Sequence, residues 1–272
     1  MKKKLRKLLN ILLLAALILS VGMLLRQLRD NQKGSQSYSA AEQLASAPQA
    51  ETEAIEETVP TESTQPAETV WVPEEVADDP EMEDLRDINL AALREVNPDV
   101  VGWIRVPGTA IDYPLMQGED NDFYLNHTWE GESNSVGSLF LEYQCSGDLT
   151  DFHSIIYGHN MGDGSMFGRL KRYAKQDYWE KYPYVYLVTD GGVYRYEIFS
   201  AYKADVEGDA YAVRVRTEER KEAVIALALE SSVIETGITP AVTDRILTRS
   251  TCSGETYANR WVVQARLKMV EA

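Results

Sequence analysis

Hydrophobic positions change their period along this chain, and each change marks a different kind of element. Leu8 to Leu25 is almost wholly apolar, broken only by Asn10, Ser20 and Gly22. Eighteen residues at helical rise span about 27 Å, close to the hydrocarbon thickness of a bilayer. From Asp30 to about Pro80 no period survives, and Gln, Ser, Thr, Pro, Ala and Glu dominate. Leu85, Ile88, Ala92 and Val96 then recur on one helical face, predicting a helix over about 82–96 that ends before Asn97-Pro98. Beyond it the period becomes two. Val101–Val106, Ile111–Met116, Gly137–Tyr143, His153–His159, Tyr184–Thr189 and Val193–Tyr202 read as short strands, with Asp190-Gly191-Gly192 as a hairpin turn. Ser165–Tyr173 suggests a short helix, and Thr217–Ile234 a long one capped by Thr217 with Glu218 and Glu219 in its first turn. Many short strands with a few inserted helices predict a mainly β fold, a closed or nearly closed barrel.

Charge sharpens the division into parts. Lys2, Lys3, Lys4, Arg6 and Lys7 precede the apolar run, while Arg26 and Arg29 close it. This imbalance predicts a single-pass helix with a cytoplasmic N-terminus and the bulk of the chain outside. A cleaved signal peptide is the rival, but its A-x-A site, Ala45-Ser46-Ala47, lies too far beyond the apolar run. The net charge of −16 is uneven: 13 of the 43 acidic residues fall in 51–84, which has no Lys or Arg. The remaining 30 acidic and 27 basic residues nearly balance, which argues against nucleic-acid binding. Three parts follow: a basic tip and membrane helix (1–29), a disordered acidic stalk (30–80), and one catalytic domain (81–272).

Candidate chemistry lies near the end. Leu247-Thr248-Arg249-Ser250-Thr251-Cys252 is a β-rich stretch ending on a cysteine, and after Ser253–Asn259 a second strand opens on Arg260. Paired antiparallel, the two strands would set Cys252 opposite Arg260. Trp261, Val263, Ala265, Leu267 and Met269 form an apolar face; Arg260, Val262, Gln264, Arg266 and Lys268 form a wetter one. A thiol and a guanidinium at a strand end suit acyl transfer, with sulfur attacking a carbonyl and Arg holding the oxyanion. Histidine is the usual proton-transfer partner. Of the three, His159 ends a strand before a turn and is the best candidate, while His127 and His153 read as ordinary hydrogen-bonding residues. A free cysteine is more often a buried small hydrophobe, yet Cys252 has the polar neighbours Ser250, Thr251 and Ser253. Cys145 reads as incidental, although a Cys145–Cys252 disulfide would be a competing structural role. Glu255 is a weak candidate to orient the site or pair with Arg260. No HExxH, paired CxxC, EF-hand or glycine-rich phosphate loop is present, so no metal or cofactor is expected.

Several blocks together resemble the sortases, specifically class B. They are Asn97-Pro98-Asp99-Val100-Val101-Gly102-Trp103-Ile104, Gly108-Thr109-Ala110-Ile111-Asp112-Tyr113-Pro114, Tyr157-Gly158-His159-Asn160-Met161, Gly164-Ser165-Met166-Phe167 and Ser250-Thr251-Cys252, with an arginine shortly after. The resemblance covers nearly all of 96–272. It implies an eight-stranded sortase barrel with an N-terminal helix and a long helix inserted before the cysteine strand. It also implies a membrane-anchored cysteine transpeptidase on the outer face of a Gram-positive bacterium. By that likeness Cys252 is the nucleophile, His159 the general acid/base and Arg260 the oxyanion ligand, while Asn121, Leu125, Tyr157, Ser250 and Thr251 line the substrate groove. The implied partners are surface proteins bearing a C-terminal sorting motif, cleaved after Thr, and an amine of the peptidoglycan cross-bridge or its lipid-linked precursor. Membrane lipid would meet the N-terminal helix. The loop from Cys252 to Arg260 is shorter than in the family. A hydrolytic cysteine endopeptidase and a non-catalytic, membrane-tethered β-domain remain as alternatives.

Overall fold

Eight strands close into a barrel in the order β1-β2-β3-β4-β7-β8-β6-β5. They are β1 (Val100–Arg105), β2 (Asp112–Met116), β3 (Leu139–Leu141), β4 (His153–Tyr157), β5 (Tyr184–Thr189), β6 (Gly192–Asp205), β7 (Ile246–Cys252) and β8 (Asn259–Glu271). The computed structural model describes residues 2–48, 79–252 and 258–271. Closure leaves no free sheet edge among these strands. Two neighbouring pairs, β2–β3 and β4–β7, run parallel, and the others run antiparallel. Parallel neighbours need long crossovers. The path from β4 to its parallel neighbour β7 runs through β5, β6 and then α5 (Glu218–Ser231), capped by the Thr217 hydroxyl accepting from the Arg220 amide.

Side chains alternate between the barrel interior and its outer face, and the interior is filled by residues such as Leu115, Leu139, Ile156, Leu247 and Val263. A second cluster lies outside the barrel, where Ala228 of α5 packs with Phe199, Tyr202, Ile246 and Val262. This changes the expected wet face of β8. Val262 and Gln264 are fully buried because the β6–β7 connection covers them, while Arg260, at the strand's start, stays half-exposed.

The covered outer face holds a chain of polar groups. His153 Nδ1 lies 2.7 Å from the Ala212 carbonyl, and its Nε2 lies 2.7 Å from the Thr248 hydroxyl. A carbonyl only accepts, so Nδ1 carries the proton and Nε2 accepts from Thr248. Gln264 Nε2 donates to the same hydroxyl at 2.8 Å, and Tyr202 donates to Gln264 Oε1 at 3.3 Å. Burial, only partly offset by the Ala212 carbonyl, pushes the His153 pKa down from 6.5 to about 4.

Helices depart from expectation in instructive ways. The segment expected as 82–96 is two helices, α2 (Pro80–Arg86) and α3 (Leu90–Val96). Asn89 separates them by accepting from the Ala92 amide as an N-cap. Of the short helix expected over Ser165–Tyr173, the first part (165–169) is turn and bridge, and a 3-10 helix at Leu170–Ala174 follows, then α4 (Gln176–Lys181). The largest correction concerns the expected stalk. The N-terminal helix α1 runs unbroken from Lys2 to Ala45, and its second half docks on the barrel domain instead of standing free. Gly34, Tyr38, Ala41 and Ala45 recur on one face and are buried. Small residues let the backbones approach closely: a Cβ on Gly34 would meet Val136 at 3.0 Å. Asn89 closes the seam by donating to the Ala47 carbonyl at 3.1 Å. Residues 49–78 of the expected stalk lie outside the described residues. Residues 9–25 of α1 are almost wholly apolar and exposed, and the helix is long and apolar enough to cross a membrane.

One core position breaks the alternation of apolar and polar residues. Arg249 faces the interior beside Leu247, fully buried, its guanidinium 5.4 Å from the centre of the Tyr173 ring. None of its nitrogens finds an acceptor in hydrogen-bond geometry among the described residues. Burial lowers its pKa, and the nearby Tyr173 hydroxyl, which donates to the Tyr182 carbonyl and misses good hydrogen-bond geometry toward the guanidinium, opposes this only in part. A buried charge without an acceptor costs stability. Arg249→Met is therefore expected to raise the melting temperature by a few degrees, whereas Arg249→Ala, which leaves a void, lowers it.

His153 generates a pH prediction. Above pH 6.5 neither the folded nor the unfolded chain protonates it appreciably; between 6.5 and about 4 only the unfolded chain does. Stability is therefore lost as pH falls through that window, by up to roughly 3 kcal/mol at about 1.4 kcal/mol per pH unit. Denaturant titrations of His153→Gln should show a flatter pH profile from 6.5 to 4 than the wild type.

Candidate active site

Register carries three side-chain-bearing positions to one rim of the barrel. β4 and β7 run parallel with Tyr157 opposite Ser250. His159 and Cys252 each lie two residues further on, past the same end of the pair. β7 and β8 run antiparallel with Cys252 opposite Arg260. Positions 93 apart in sequence thus meet because a crossover returns β7 parallel to β4.

A pocket of about 400 Å³ opens at this rim, lined by Asn121, Leu125, Phe140, Tyr157, Gly158, His159, Val206, Tyr211, Ser250, Thr251 and Arg260. It contains all five residues expected in the groove, together with the expected base and guanidinium. A larger depression, about 870 Å³, lies between α3, the end of α1 and the β5–β6 turn, but no cysteine or histidine lines it.

His159 is held from two sides. Its Nε2 lies 2.6 Å from the Leu125 carbonyl, which fixes the proton on Nε2 and leaves Nδ1 for proton exchange. Gly137 packs against the ring. Its φ is +64°, a conformation that favours glycine, and a Cβ there would lie 2.9 Å from His159 Cδ2 and 2.7 Å from the Leu125 carbonyl oxygen. The His159 carbonyl accepts from the Phe167 amide at 3.0 Å, and Gly158 donates its amide to Ser250. Arg260 directs Nη1 at the Asn259 carbonyl, 3.3 Å away.

Behind two of the lining residues, Asn121 and Tyr157, lies a carboxylate that the sequence did not single out. Glu142, just past β3, is buried. It accepts from Asn121 Nδ2 and from the Tyr157 hydroxyl at 2.9 Å. Burial, and then Glu142, raise the Tyr157 pKa, so the phenol stays protonated. Tyr211 is the other residue missed. Its ring stacks on Tyr157, 6.3 Å between centroids, and its hydroxyl lies 2.8 Å from Ser250 Oγ. A carboxylate directly after the apolar run Leu139-Phe140-Leu141 was the available signal for Glu142; Tyr211 comes from the long crossover and offered none.

Other candidates resolve by burial. Cys145 is a free, buried thiol donating weakly to the His153 carbonyl at 3.6 Å. Burial pushes its pKa up to about 12, so it is neither disulfide-bonded nor a nucleophile at neutral pH. His153 is buried in the network described above. His127 stacks on Phe123 at 3.9 Å and bonds the Phe123 carbonyl, away from the pocket. Ser250 and Thr251, whose polarity suggested an open setting for Cys252, are themselves buried. Glu255 lies outside the described residues. No cluster of three or more metal-ligating side chains occurs among the described residues.

An eight-stranded closed barrel with a cysteine, a histidine and an arginine delivered to one rim defines a cysteine acyl-transfer scaffold. Residues 104–268 match the sortase domain family, and the chain belongs to the sortases, the cysteine transpeptidases of that family. Its likeness is to sortase B. It is 35% identical to sortase B of Listeria monocytogenes over 189 residues, covering 68% of this chain and 74% of the relative. A Staphylococcus aureus sortase B–substrate complex superposes with a TM-score of 0.64 at 31% identity, over 67% of this chain and 85% of that one. Sortase B of Clostridium perfringens gives 0.62 at 33% identity, over 66% and 99%.

Gly137 supplies the test of this geometry. Gly137→Ala should push the His159 ring or the Leu125 carbonyl aside. Peptide turnover is expected to fall at least about tenfold, with a stability loss of roughly 1 kcal/mol. Steady-state kinetics and thermal unfolding of the same preparation measure both.

Proposed function

We propose that this chain is a cell-surface transpeptidase that cleaves a C-terminal sorting motif after threonine and joins the product to a peptidoglycan amine. Cys252 is the nucleophile, His159 the general acid/base and Arg260 the oxyanion ligand. The observation that carries this reading is the paired register of β4, β7 and β8, which brings the three positions to one rim beside a pocket lined by His159 and Arg260.

The sulfur of Cys252 attacks the threonine carbonyl, and its proton passes to Nδ1 of His159. The guanidinium of Arg260 stabilises the tetrahedral oxyanion. As the C–N bond breaks, His159 returns the proton to the departing amine, leaving a thioacyl enzyme. An incoming amine attacks that thioester, loses a proton to His159 and displaces the thiolate, which completes the amide and regenerates the thiol. Asn121, Leu125, Tyr157, Ser250 and Thr251 form the substrate groove, and the Asn121–Glu142–Tyr157 hydrogen bonds give its wall a fixed polar face. The apolar half of α1 spans the membrane with the basic tip of the chain in the cytoplasm, so the barrel meets its substrates at the outer surface.

The test uses the full chain in nanodiscs with a panel of NP(Q/K)TN-like and (S/P)PxTG peptides, with and without a cross-bridge amine. Cys252→Ala should abolish cleavage. His159→Ala and Arg260→Ala should each lower kcat by about two orders of magnitude or more with the fold intact. Added amine should convert hydrolysed product into amide. Cleavage that survives Cys252→Ala sinks the mechanism, and hydrolysis unchanged at saturating amine makes the enzyme an endopeptidase instead.

A further inference from the structure

The docked half of α1 reaches the catalytic histidine through a single intervening residue. Tyr38, on its buried face, donates its hydroxyl to the Gly137 carbonyl at 2.6 Å and lies 3.0 Å from Ser138 Oγ. Gly137 is the residue against which His159 packs. Ser138 in turn donates its amide to the Tyr124 carbonyl and its hydroxyl to the His127 carbonyl. These bonds bracket Leu125, whose carbonyl receives His159 Nε2. Tyr38 therefore grips one side of a loop whose other side holds the imidazole.

Neighbouring contacts concentrate on the same loop. Trp129 Nε1 donates to the Ser37 carbonyl at 2.9 Å, and Asn134 Nδ2 to the Asp30 carbonyl at 3.0 Å. Ser37 donates its hydroxyl to Glu130. The Tyr38 ring packs edge-on against Tyr113, with 5.1 Å between centroids. Tyr38, Trp129 and the Asn134 side chain are shielded from water, so their hydrogen bonds cannot be replaced by solvent without cost.

We propose that Tyr38 is a positioning residue for His159, so that this one contact of the docked helix serves the catalytic unit while its neighbours only dock the helix. The proposal rests on His159 acting as the acid/base. Tyr38→Phe is the discriminating change because it removes the hydroxyl and keeps the ring on Tyr113. Ser37→Ala is the control: it loosens the same docked helix at Glu130 without touching Gly137.

Both variants are compared with the wild type as full chains in nanodiscs, by peptide kinetics and by nitrogen-15 NMR of the histidine ring protons, with His159→Asn used to assign the signal. Tyr38→Phe should lower kcat about tenfold while KM changes less than about twofold. The His159 Nε2 proton should exchange with water about tenfold faster, while the His153 ring proton is unmoved. Ser37→Ala should match the wild type in every readout. A Tyr38→Phe enzyme with wild-type kcat and a wild-type His159 proton overturns the proposal. Equal losses in both variants overturn it too, since docking alone would then account for the effect. Turnover retained in His159→Ala refutes the catalytic reading instead, and the proton-exchange comparison still decides whether Tyr38 holds the ring.

Discussion

The Thr248 hydroxyl, set between His153 on β4 and Gln264 on β8, is the contact on which the rest of this structure depends. It donates to one neighbour and accepts from the other, so three strands are tied through one buried atom. A slip of one residue in either pairing would turn Thr248 to the opposite face and bury its partners unsatisfied. The register that satisfies Thr248 is the same register that sets Tyr157 opposite Ser250 and Cys252 opposite Arg260. Site geometry is thus a by-product of satisfying a polar network beneath the β6–β7 crossover.

That arrangement divides similar residues into different roles by environment alone. Cys145 and His153 are a thiol and a histidine joined only through the His153 backbone carbonyl, and burial holds the thiol protonated and the imidazole neutral at physiological pH. His159 is instead half-buried at the pocket, with its Nε2 proton committed to a backbone carbonyl and its other nitrogen available. Full burial takes from Cys145 and His153 the freedom to reach their charged forms at neutral pH.

Continuity of α1 gives the molecule a defined relation between its apolar helix and its barrel. Residues 30–45 at helical rise cover about 24 Å, and the buried face made by Gly34, Tyr38, Ala41 and Ala45 fixes that length against the domain. A flexible tether would let the barrel sample many positions relative to the apolar segment. The docked helix holds it to one.

Strand positions, the barrel, the capped helix after Thr217 and the membrane-length run were legible because each is written as a local period or a local cap. Cys252, His159 and Arg260 were legible as reactive side chains near strand ends, and the five residues that the family likeness named line one pocket with His159 and Arg260. What stayed hidden depends on partners distant in the chain. The helix through 30–45 carries too little hydrophobicity to announce itself, and only the complementary loop at 129–138 makes its small residues an interface. Asn89 broke a helix that periodicity joined, because its side chain caps α3 and at the same time holds the junction to the Ala47 carbonyl. Val262 and Gln264 looked solvent-facing until a crossover from elsewhere covered them. Local spacing determined which residues form elements and which carry reactive groups. Burial, and with it charge state and the meeting of the groups, was decided by tertiary structure, because solvent exclusion is a property of the surfaces that close over a residue.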